Sequence, residues 1–179
     1  MTGDLRKRLK EVGAIRFGDF ILSSGKRSNY YVDLKKATCD PEVLEMMADA
    51  VVDAMPEGVE KIAGLELGSV PIAAVVSVKT RIPMIIVRKE KKGYGTGKRI
   101  EGELNDGENV LIIEDTTTTG GQIIKAINAI REAGGRVKDA VVIVNREEGA
   151  DEALKSEGVG LISIIKAREI LEGRVHEGD

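Results

Sequence analysis

The sequence predicts an α/β fold in which a mostly parallel central sheet is flanked by helices. Along most of the 179 residues, short apolar runs alternate with segments whose apolar residues recur every three or four positions. The first pattern is typical of buried strands and the second of amphipathic helices, and their alternation favours parallel strands joined by helical crossovers. No internal repeat, low-complexity segment or linker interrupts the chain, so residues 1–179 are expected to form a single domain.

The individual elements follow from local signals. Asp40 suits an N-cap and Pro41 the first helical position, so a helix is predicted to begin there. Gly134 and Gly135 end a later helix that begins after the glycine pair at residues 120–121. The apolar run of residues 137–144 indicates a strand buried on both faces. The other predicted elements are helices at 4–12, 71–79, 150–157 and 167–171, and strands at 61–67, 83–87, 109–113 and 160–165.

Composition argues against several functional classes. The 27 basic and 30 acidic residues give a net charge of −3, which does not favour nucleic-acid binding. The single cysteine, Cys39, excludes an intrachain disulfide and a cysteine-cluster metal site, which fits a reducing cytoplasm. No apolar run approaches the roughly 18 residues of a membrane span, and residues 1–6 lack the apolar core of a signal peptide. A cytoplasmic location is therefore expected, and the charged fraction of 32% leans weakly towards a thermophile's composition.

The most informative segment lies at residues 110–122, where a short apolar run ends in two carboxylates, four threonines and two glycines. The two carboxylates can accept hydrogen bonds from neighbouring hydroxyls of a ribose. The threonine hydroxyls, the backbone N–H groups and the positive end of the following helix can hold a phosphate. The segment therefore predicts a sugar-phosphate site. Its residues after the apolar run are Glu114, Asp115, Thr116, Thr117, Thr118, Thr119, Gly120, Gly121 and Gln122.

A purely structural alternative exists for part of this segment. Thr119 and Gln122 have the spacing of a capping box, in which each side chain bonds a backbone N–H at the start of the helix. Capping boxes are common and carry no function. The cap does not account for paired acids followed by a run of four threonines.

A basic segment follows the strand predicted at residues 83–87. Residues 89–106 contain four glycines and five basic residues without an apolar period, which predicts a long mobile loop of the kind that closes active sites. Arg88, Lys89 and Lys92 would lie at the same edge of the sheet as the acid–threonine segment, and cations there suit a pyrophosphate. The alternative is a solvated run of charges.

Two further segments leave their interpretation open. In residues 64–71, a turn containing Gly68 and Ser69 could cradle a pyrophosphate through its N–H groups, or simply connect a strand to a helix that Ser69 caps. Residues 17–33 hold both phenylalanines and two of the three tyrosines. Their rings could pack beside a flat heterocycle or fill the core from an N-terminal hairpin.

Together, these motifs carry a resemblance to a known family. The acid–threonine segment resembles the PRPP-binding signature of type I phosphoribosyltransferases. The pattern Phe-x-Leu-x-Ser-Gly-x-x-Ser-x-Tyr-Tyr, which begins at Phe20, resembles the N-terminal hood of orotate phosphoribosyltransferases, and Arg88-Lys89-x-x-Lys92 resembles their catalytic loop. The likeness runs from about Phe17 to Arg146. It implies the type I phosphoribosyltransferase fold, with a small hood of about residues 1–38 plus C-terminal elements.

The resemblance also implies a reaction. Orotate phosphoribosyltransferases join orotate to PRPP in pyrimidine biosynthesis, giving orotidine 5′-monophosphate and pyrophosphate, and use Mg²⁺ bound to the pyrophosphate. Glu114 and Asp115 would hold the ribose hydroxyls directly or through the metal's waters, with no protein group ligating the metal directly. A homodimer is implied, in which the loop of about residues 89–106 acts on the partner's active site.

The resemblance assigns roles residue by residue. Lys89, Lys92 and Asp115 would be catalytic, and Thr118 and Arg146 would contact orotate. An alternative without a functional role is that Arg146 is a surface arginine at a strand end. The residues implied to bind PRPP are Arg88, Lys89, Lys92, Tyr94, Glu114, Asp115, Thr116, Thr117, Thr118, Thr119, Gly120, Gly121 and Gln122.

The chain departs from the family pattern at two positions, since many members have Lys where Ser23 stands and His where Tyr94 stands. The single histidine, His176, lies in a charged tail and is expected to be solvated.

Competing hypotheses are transfer to another base such as a purine, a non-catalytic PRPP sensor, and a dinucleotide-binding oxidoreductase. A purine has no carboxylate for Arg146 to meet. About 16 residues before Phe17 are too few for an added three-helix DNA-binding module, and no Gly-x-Gly-x-x-Gly follows the first parallel strand.

Overall fold

The structure, a computed structural model, describes residues 2–21, 27–90 and 99–172. The helices are α1 Thr2–Glu11, α2 Leu34–Thr38, α3 Pro41–Asp53, α4 Val70–Thr80, α5 Gly121–Glu132, α6 Ala150–Ser156 and α7 Ala167–Glu172. The strands are β1 Ile15–Ile21, β2 Arg27–Val32, β3 Lys61–Leu65, β4 Met84–Val87, β5 Ile100–Glu101, β6 Val110–Thr117, β7 Asp139–Asn145 and β8 Gly160–Lys166. None of the helices in these described ranges is long and apolar enough to cross a membrane.

Six strands form the central sheet, in the order β5-β4-β3-β6-β7-β8. All neighbouring pairs are parallel except β4 with β5. The predicted α/β fold with a mostly parallel sheet is therefore confirmed. From β3 the chain moves outward to β4 on one side, and from β6 it moves outward to β7 and β8 on the other. This reversal between β3 and β6 creates a crevice at their carboxyl ends, which is where ligands bind in such sheets.

The sheet separates two hydrophobic cores, because alternate residues of each strand point to opposite faces. Leu111 and Ile113 of β6 belong to the core shared with α1, α3 and α4. Val110 and Ile112 belong to the core shared with α5 and α6. The strand is buried on both sides, so it holds whatever follows its carboxyl end rigidly.

After α1, the chain forms an antiparallel hairpin of β1 and β2, in which Phe17 pairs with Tyr30. Tyr30 is buried in the first core, so this ring serves packing, as the structural alternative held. Phe20 and Tyr31 are half-buried, with ring centroids 5.5 Å apart. The hairpin therefore both fills the core and presents aromatic rings closer to the surface.

Several predicted boundaries were wrong. The strand predicted at 109–113 extends to Thr117, because parallel pairing with β7 continues as far as Asn145. The strand predicted at 61–67 ends at Leu65, where a turn begins. Residues 89–106 were predicted to lack regular structure, yet Ile100 and Glu101 pair with the end of β4. Ile100 packs against the second core, and this one apolar contact gave no period that could be read from the sequence.

Packing of α5 should dominate stability on the second face of the sheet. Ile127 is fully buried there, and Ile127→Ala should lower the free energy of unfolding by about 2–5 kcal/mol, since it removes buried methyl groups and leaves a cavity. Asn128→Ala, at an exposed position on the same helix, is the matched control and should change stability by less than about 0.5 kcal/mol. Urea unfolding monitored by circular dichroism measures both. Equal losses of stability in the two variants would contradict the assignment of Ile127 to the buried face of α5.

Candidate active site

The acid pair stands at the end of the buried part of β6. Glu114 is 8% exposed, and Asp115 beside it is half-buried. The backbone N–H of Asp115 donates to Oε1 of Glu114 at 3.1 Å, and that of Thr116 donates to Oδ1 of Asp115 at 2.8 Å. Burial raises the pKa of Glu114 well above its usual range, and the neighbouring Asp115 carboxylate adds to this rise in pKa. The pair is therefore held in place but electrostatically unsatisfied.

The threonine and glycine residues curve around a cavity of about 260 Å³, called here the threonine cavity. Its lining residues are Glu114, Thr116, Thr117, Thr118, Thr119, Gly120, Gly121, Gln122 and Lys125. Helix α5 begins at its edge with Gly121, so the orphan N–H groups and the positive end of the helix dipole lie at the cavity. This arrangement can hold a phosphate, as the sequence predicted.

The start of α5 depends on glycine. Gly120 is the N-cap, with a left-handed φ of 81°, and no side chain caps the helix. A Cβ at Gly120 would lie 2.7 Å from Cδ1 of Leu154, so α6 also leaves no room for a side chain. The capping-box interpretation of Thr119 and Gln122 is therefore wrong, because the helix starts one residue later than a Thr119 cap requires.

The turn after β3 packs directly against the acid pair. A Cβ at Gly68 would overlap the Asp115 carboxylate, so only glycine permits this approach. Ser69 is fully buried but does not cap α4 with its side chain. Its Oγ accepts from the N–H of Leu65 at 2.8 Å and donates to the Leu65 carbonyl at 3.1 Å. Ser69 is therefore the N-cap residue of α4, as one of the two alternatives held, but its hydroxyl closes the turn instead of bonding the first N–H groups of the helix.

Basic residues line the other side of the crevice, at the end of β4. The N–H of Lys89 donates to Oε2 of Glu66 at 3.1 Å, which ties this segment to the turn after β3. Nη2 of Arg99 donates to the carbonyls of Lys89 and Arg88 at 3.1 and 3.3 Å. Arg88 Nη1 lies 3.7 Å from Oε1 of Glu101. Arg99 thus fastens the described ends of the basic segment to each other.

The acid pair, the turn and the cations enclose a second cavity of about 220 Å³, the acid cavity. Three charged residues that the sequence analysis did not single out, Lys35, Glu66 and Arg99, belong to its wall. Nothing in their spacing distinguishes them from surface charges, so no sequence signal could have found them. The full lining is Lys35, Leu65, Glu66, Leu67, Gly68, Val87, Arg88, Lys89, Arg99, Glu114, Asp115, Thr116, Gln122 and Ala126.

Arg146 lies where β7 ends, beside β6. Its side chain is 11% exposed, and its guanidinium carbon lies 5.1 Å from the ring centroid of Tyr30. Its backbone N–H donates to the Thr117 carbonyl at 2.9 Å, and Nη2 lies 3.2 Å from Oε1 of Glu148. The alternative of a surface arginine is wrong, because the side chain is mostly buried and packs against a ring of β2.

A buried asparagine holds this corner in place. Asn145 is fully buried, and its amide nitrogen donates to Asp151 at 2.8 Å and to Ser163 at 3.0 Å. Its side-chain oxygen accepts from the N–H of Glu147 at 2.8 Å. Sequence reasoning missed Asn145, because its importance comes from partners on α6 and β8.

Comparison with known proteins agrees with this geometry. The Phosphoribosyl transferase domain family matches residues 42–169. The orotate phosphoribosyltransferase of Methanopyrus kandleri is 53% identical over 93% of this chain and 90% of that protein, and that of Methanocaldococcus jannaschii is 52% identical over 90% and 92%. The crystal structure of orotate phosphoribosyltransferase from Aeropyrum pernix is 35% identical, with a TM-score of 0.87 over 98% of this chain and 99% of that one.

The chain belongs to the orotate phosphoribosyltransferase family. In this family member, the structure brings most of the residues predicted for PRPP to one edge of the sheet, around the two adjoining cavities. Thr118 lines the threonine cavity, whereas Arg146 lines neither cavity. Lys92 and Tyr94 lie outside the described residues, as do Ser23 and His176. The M. tuberculosis orotate phosphoribosyltransferase solved in complex with PRPP is 28% identical, with a TM-score of 0.77 over 94% of this chain and 98% of that one.

The raised pKa of Glu114 predicts a pH-dependent cost to the ligand-free fold. A carboxyl whose pKa is raised by folding stabilises the protein fully below its unfolded pKa of about 4.3, and this contribution is lost as pH rises through the folded pKa. Glu114→Gln should therefore gain thermal stability over the wild type as pH rises above that value, until the difference levels off.

Thermal unfolding between pH 4 and pH 8 measures this effect. Glu132→Gln, which removes an exposed carboxyl from α5, is the matched control and should follow the wild type. If the melting temperatures of Glu114→Gln and the wild type differ by the same amount at every pH, the predicted cost of ionising Glu114 is contradicted.

Proposed function

We propose that this chain transfers the phosphoribosyl group of PRPP to orotate, forming orotidine 5′-monophosphate and pyrophosphate in pyrimidine (UMP) biosynthesis. The observation that carries the proposal is the near-buried guanidinium of Arg146, held against Tyr30 at the sheet edge where the acid–threonine segment ends. A guanidinium fixed in this way suits a base that bears a carboxylate. The names of relatives at about half identity support the same activity.

The two cavities suggest how PRPP is held. The 5-phosphate would occupy the threonine cavity, with bonds from the threonine hydroxyls and the first N–H groups of α5. Glu114 and Asp115 would accept hydrogen bonds from the two ribose hydroxyls. The diphosphate would lie in the acid cavity near Arg88 and Lys89, where we also expect Lys92 and Tyr94 to act.

The residues present fit a magnesium ion carried by the diphosphate. Mg²⁺ prefers oxygen ligands, keeps several of its waters and needs few protein carboxylates. Glu114 and Asp115 supply two carboxylates beside the acid cavity, and the raised pKa of Glu114 reflects a site that would gain from a nearby cation. When bound, the ion neutralises charge on the diphosphate. Within the described ranges, no group of three or more potential ligands gathers around a single point.

The distribution of charge suits a transition state with a cationic ribose and an increasingly anionic leaving group. Asp115 and Glu114 would face the sugar, where positive charge develops, and the basic residues would face the departing diphosphate. Closure of the loop between β4 and β5 would exclude water, which would otherwise hydrolyse the sugar. The chemistry needs no covalent nucleophile from the protein.

The activity is tested by incubating the protein with PRPP and Mg²⁺ and with orotate, uracil, hypoxanthine or adenine in turn. We expect only orotate to be consumed, since the other three bases lack the carboxylate that Arg146 would bind. Lys92→Ala should slow turnover by about 10²-fold or more, because it removes a cation that stabilises the leaving group. PRPP binding without turnover of any base would refute an enzyme and favour a sensor.

We further propose that the protein is a homodimer whose basic loop acts on the partner's site. Hybrid dimers of two inactive variants, Lys92→Ala and Asp115→Asn, test this. If the loop acts across the interface, one site of each hybrid has both an intact loop and an intact acid pair. Random subunit exchange in a two-fold dimer should then restore roughly a quarter of wild-type activity. If the loop acts within its own subunit, mixing restores nothing.

A further inference from the structure

We propose that Lys35 binds the diphosphate group of PRPP, and the pyrophosphate product, from the hood side of the acid cavity. The inference rests on the proposed function and adds a residue to its binding site. Among the described residues that line the acid cavity, Lys35 alone comes from residues 1–38. The other cations of the cavity, Arg88, Lys89 and Arg99, belong to the basic segment after β4.

The backbone at Lys35 is fixed by its surroundings. Its N–H donates to Oδ1 of Asp33, the N-cap of α2, at 3.3 Å, and its carbonyl accepts from Oγ1 of Thr38 at 2.9 Å. Leu34 and Ala37 are buried and anchor the short helix in the core. The lysine side chain therefore extends from a firmly held backbone at the wall of the cavity.

The ammonium group of Lys35 has no carboxylate partner within ion-pair distance among the described residues. Lys79, by contrast, is already paired, since its ammonium group lies 2.9 Å from a carboxylate oxygen of Glu45 and 2.8 Å from one of Asp49. Within the acid cavity, Arg88 faces Glu101, and Arg99 donates to two carbonyls. Lys35 thus adds a positive charge that the described parts of the protein do not use.

The contents of the cavity identify the ligand group. Lys35 shares the acid cavity with the turn after β3 and the basic segment, whereas Arg146 and Thr118, the residues proposed for the base, do not line it. A diphosphate carries several negative charges and can accept hydrogen bonds from several ammonium groups at once. Lys35 would therefore bind the diphosphate and not the carboxylate of orotate.

The chain supplies a matched control for this proposal. Lys36 is the next residue of the same helix, is exposed, and does not line the acid cavity. Lys35→Met and Lys36→Met remove the same charge and keep most of the aliphatic stem. Any difference in ligand binding between the two variants therefore comes from the position of the lysine in the fold and not from the change in net charge. Lys35→Arg keeps the charge and serves as the rescue variant.

Two measurements test the role of Lys35. Isothermal titration of Mg²⁺-pyrophosphate should show about tenfold weaker binding to Lys35→Met, the size of effect expected when one hydrogen bond to a charged group is lost. Steady-state assays should show a similar rise in the KM for PRPP with the KM for orotate unchanged. Lys36→Met should stay within about twofold of the wild type, and Lys35→Arg should recover most of the loss.

The proposal is overturned if Lys35→Met binds pyrophosphate as the wild type does, if Lys36→Met has an equal effect, or if the KM for orotate rises instead. Because the titration needs no turnover, it tests Lys35 even if orotate is not the base. Failure of the wild type to consume orotate would count against the proposed function alone. Thermal unfolding of each variant checks that the exposed substitutions leave the fold intact.

Discussion

The parallel pairing of β6, with β3 on one side and β7 on the other, holds the whole candidate site together. Both faces of β6 are packed in separate cores, so the strand cannot shift without disturbing each of them. The acid pair and the threonines lie at the carboxyl end of β6. The turn after β3 and Arg146 after β7 lie at the carboxyl ends of the two neighbouring strands. Because the three strands are parallel, these segments meet at one edge.

This arrangement concentrates unfavourable electrostatics where a ligand can relieve them. Glu114 is buried beside another carboxylate, and its pKa is raised by that burial and by Asp115. The basic residues are kept a short distance away, tied by hydrogen bonds to backbone groups and to Glu66. Groups with strongly perturbed pKa values cluster at functional sites, and the position of Glu114 at the crevice agrees with this tendency.

Small residues permit the close approaches that the site requires. Gly68 allows the turn after β3 to touch Asp115, and Gly120 lets the threonine segment turn into α5 against α6. Larger polar groups then fix the positions of the segments. Ser69 closes one turn from within, and Asn145 secures the corner that carries Arg146. The rigidity of the site thus comes from buried side-chain hydrogen bonds as much as from the sheet itself.

The sequence by itself determined the α/β class, the acid–threonine segment and its place after a buried strand, because these depend on local periodicity and residue chemistry. The resemblance also singled out Arg146 as a candidate contact of orotate, although not its burial against Tyr30. Only the tertiary structure revealed Lys35 and Arg99 at the acid cavity, and only it showed that the Ser69 hydroxyl closes the turn after β3 instead of bonding the start of α4. Those features depend on contacts between segments far apart in the chain, and no local pattern records which distant side chains will meet.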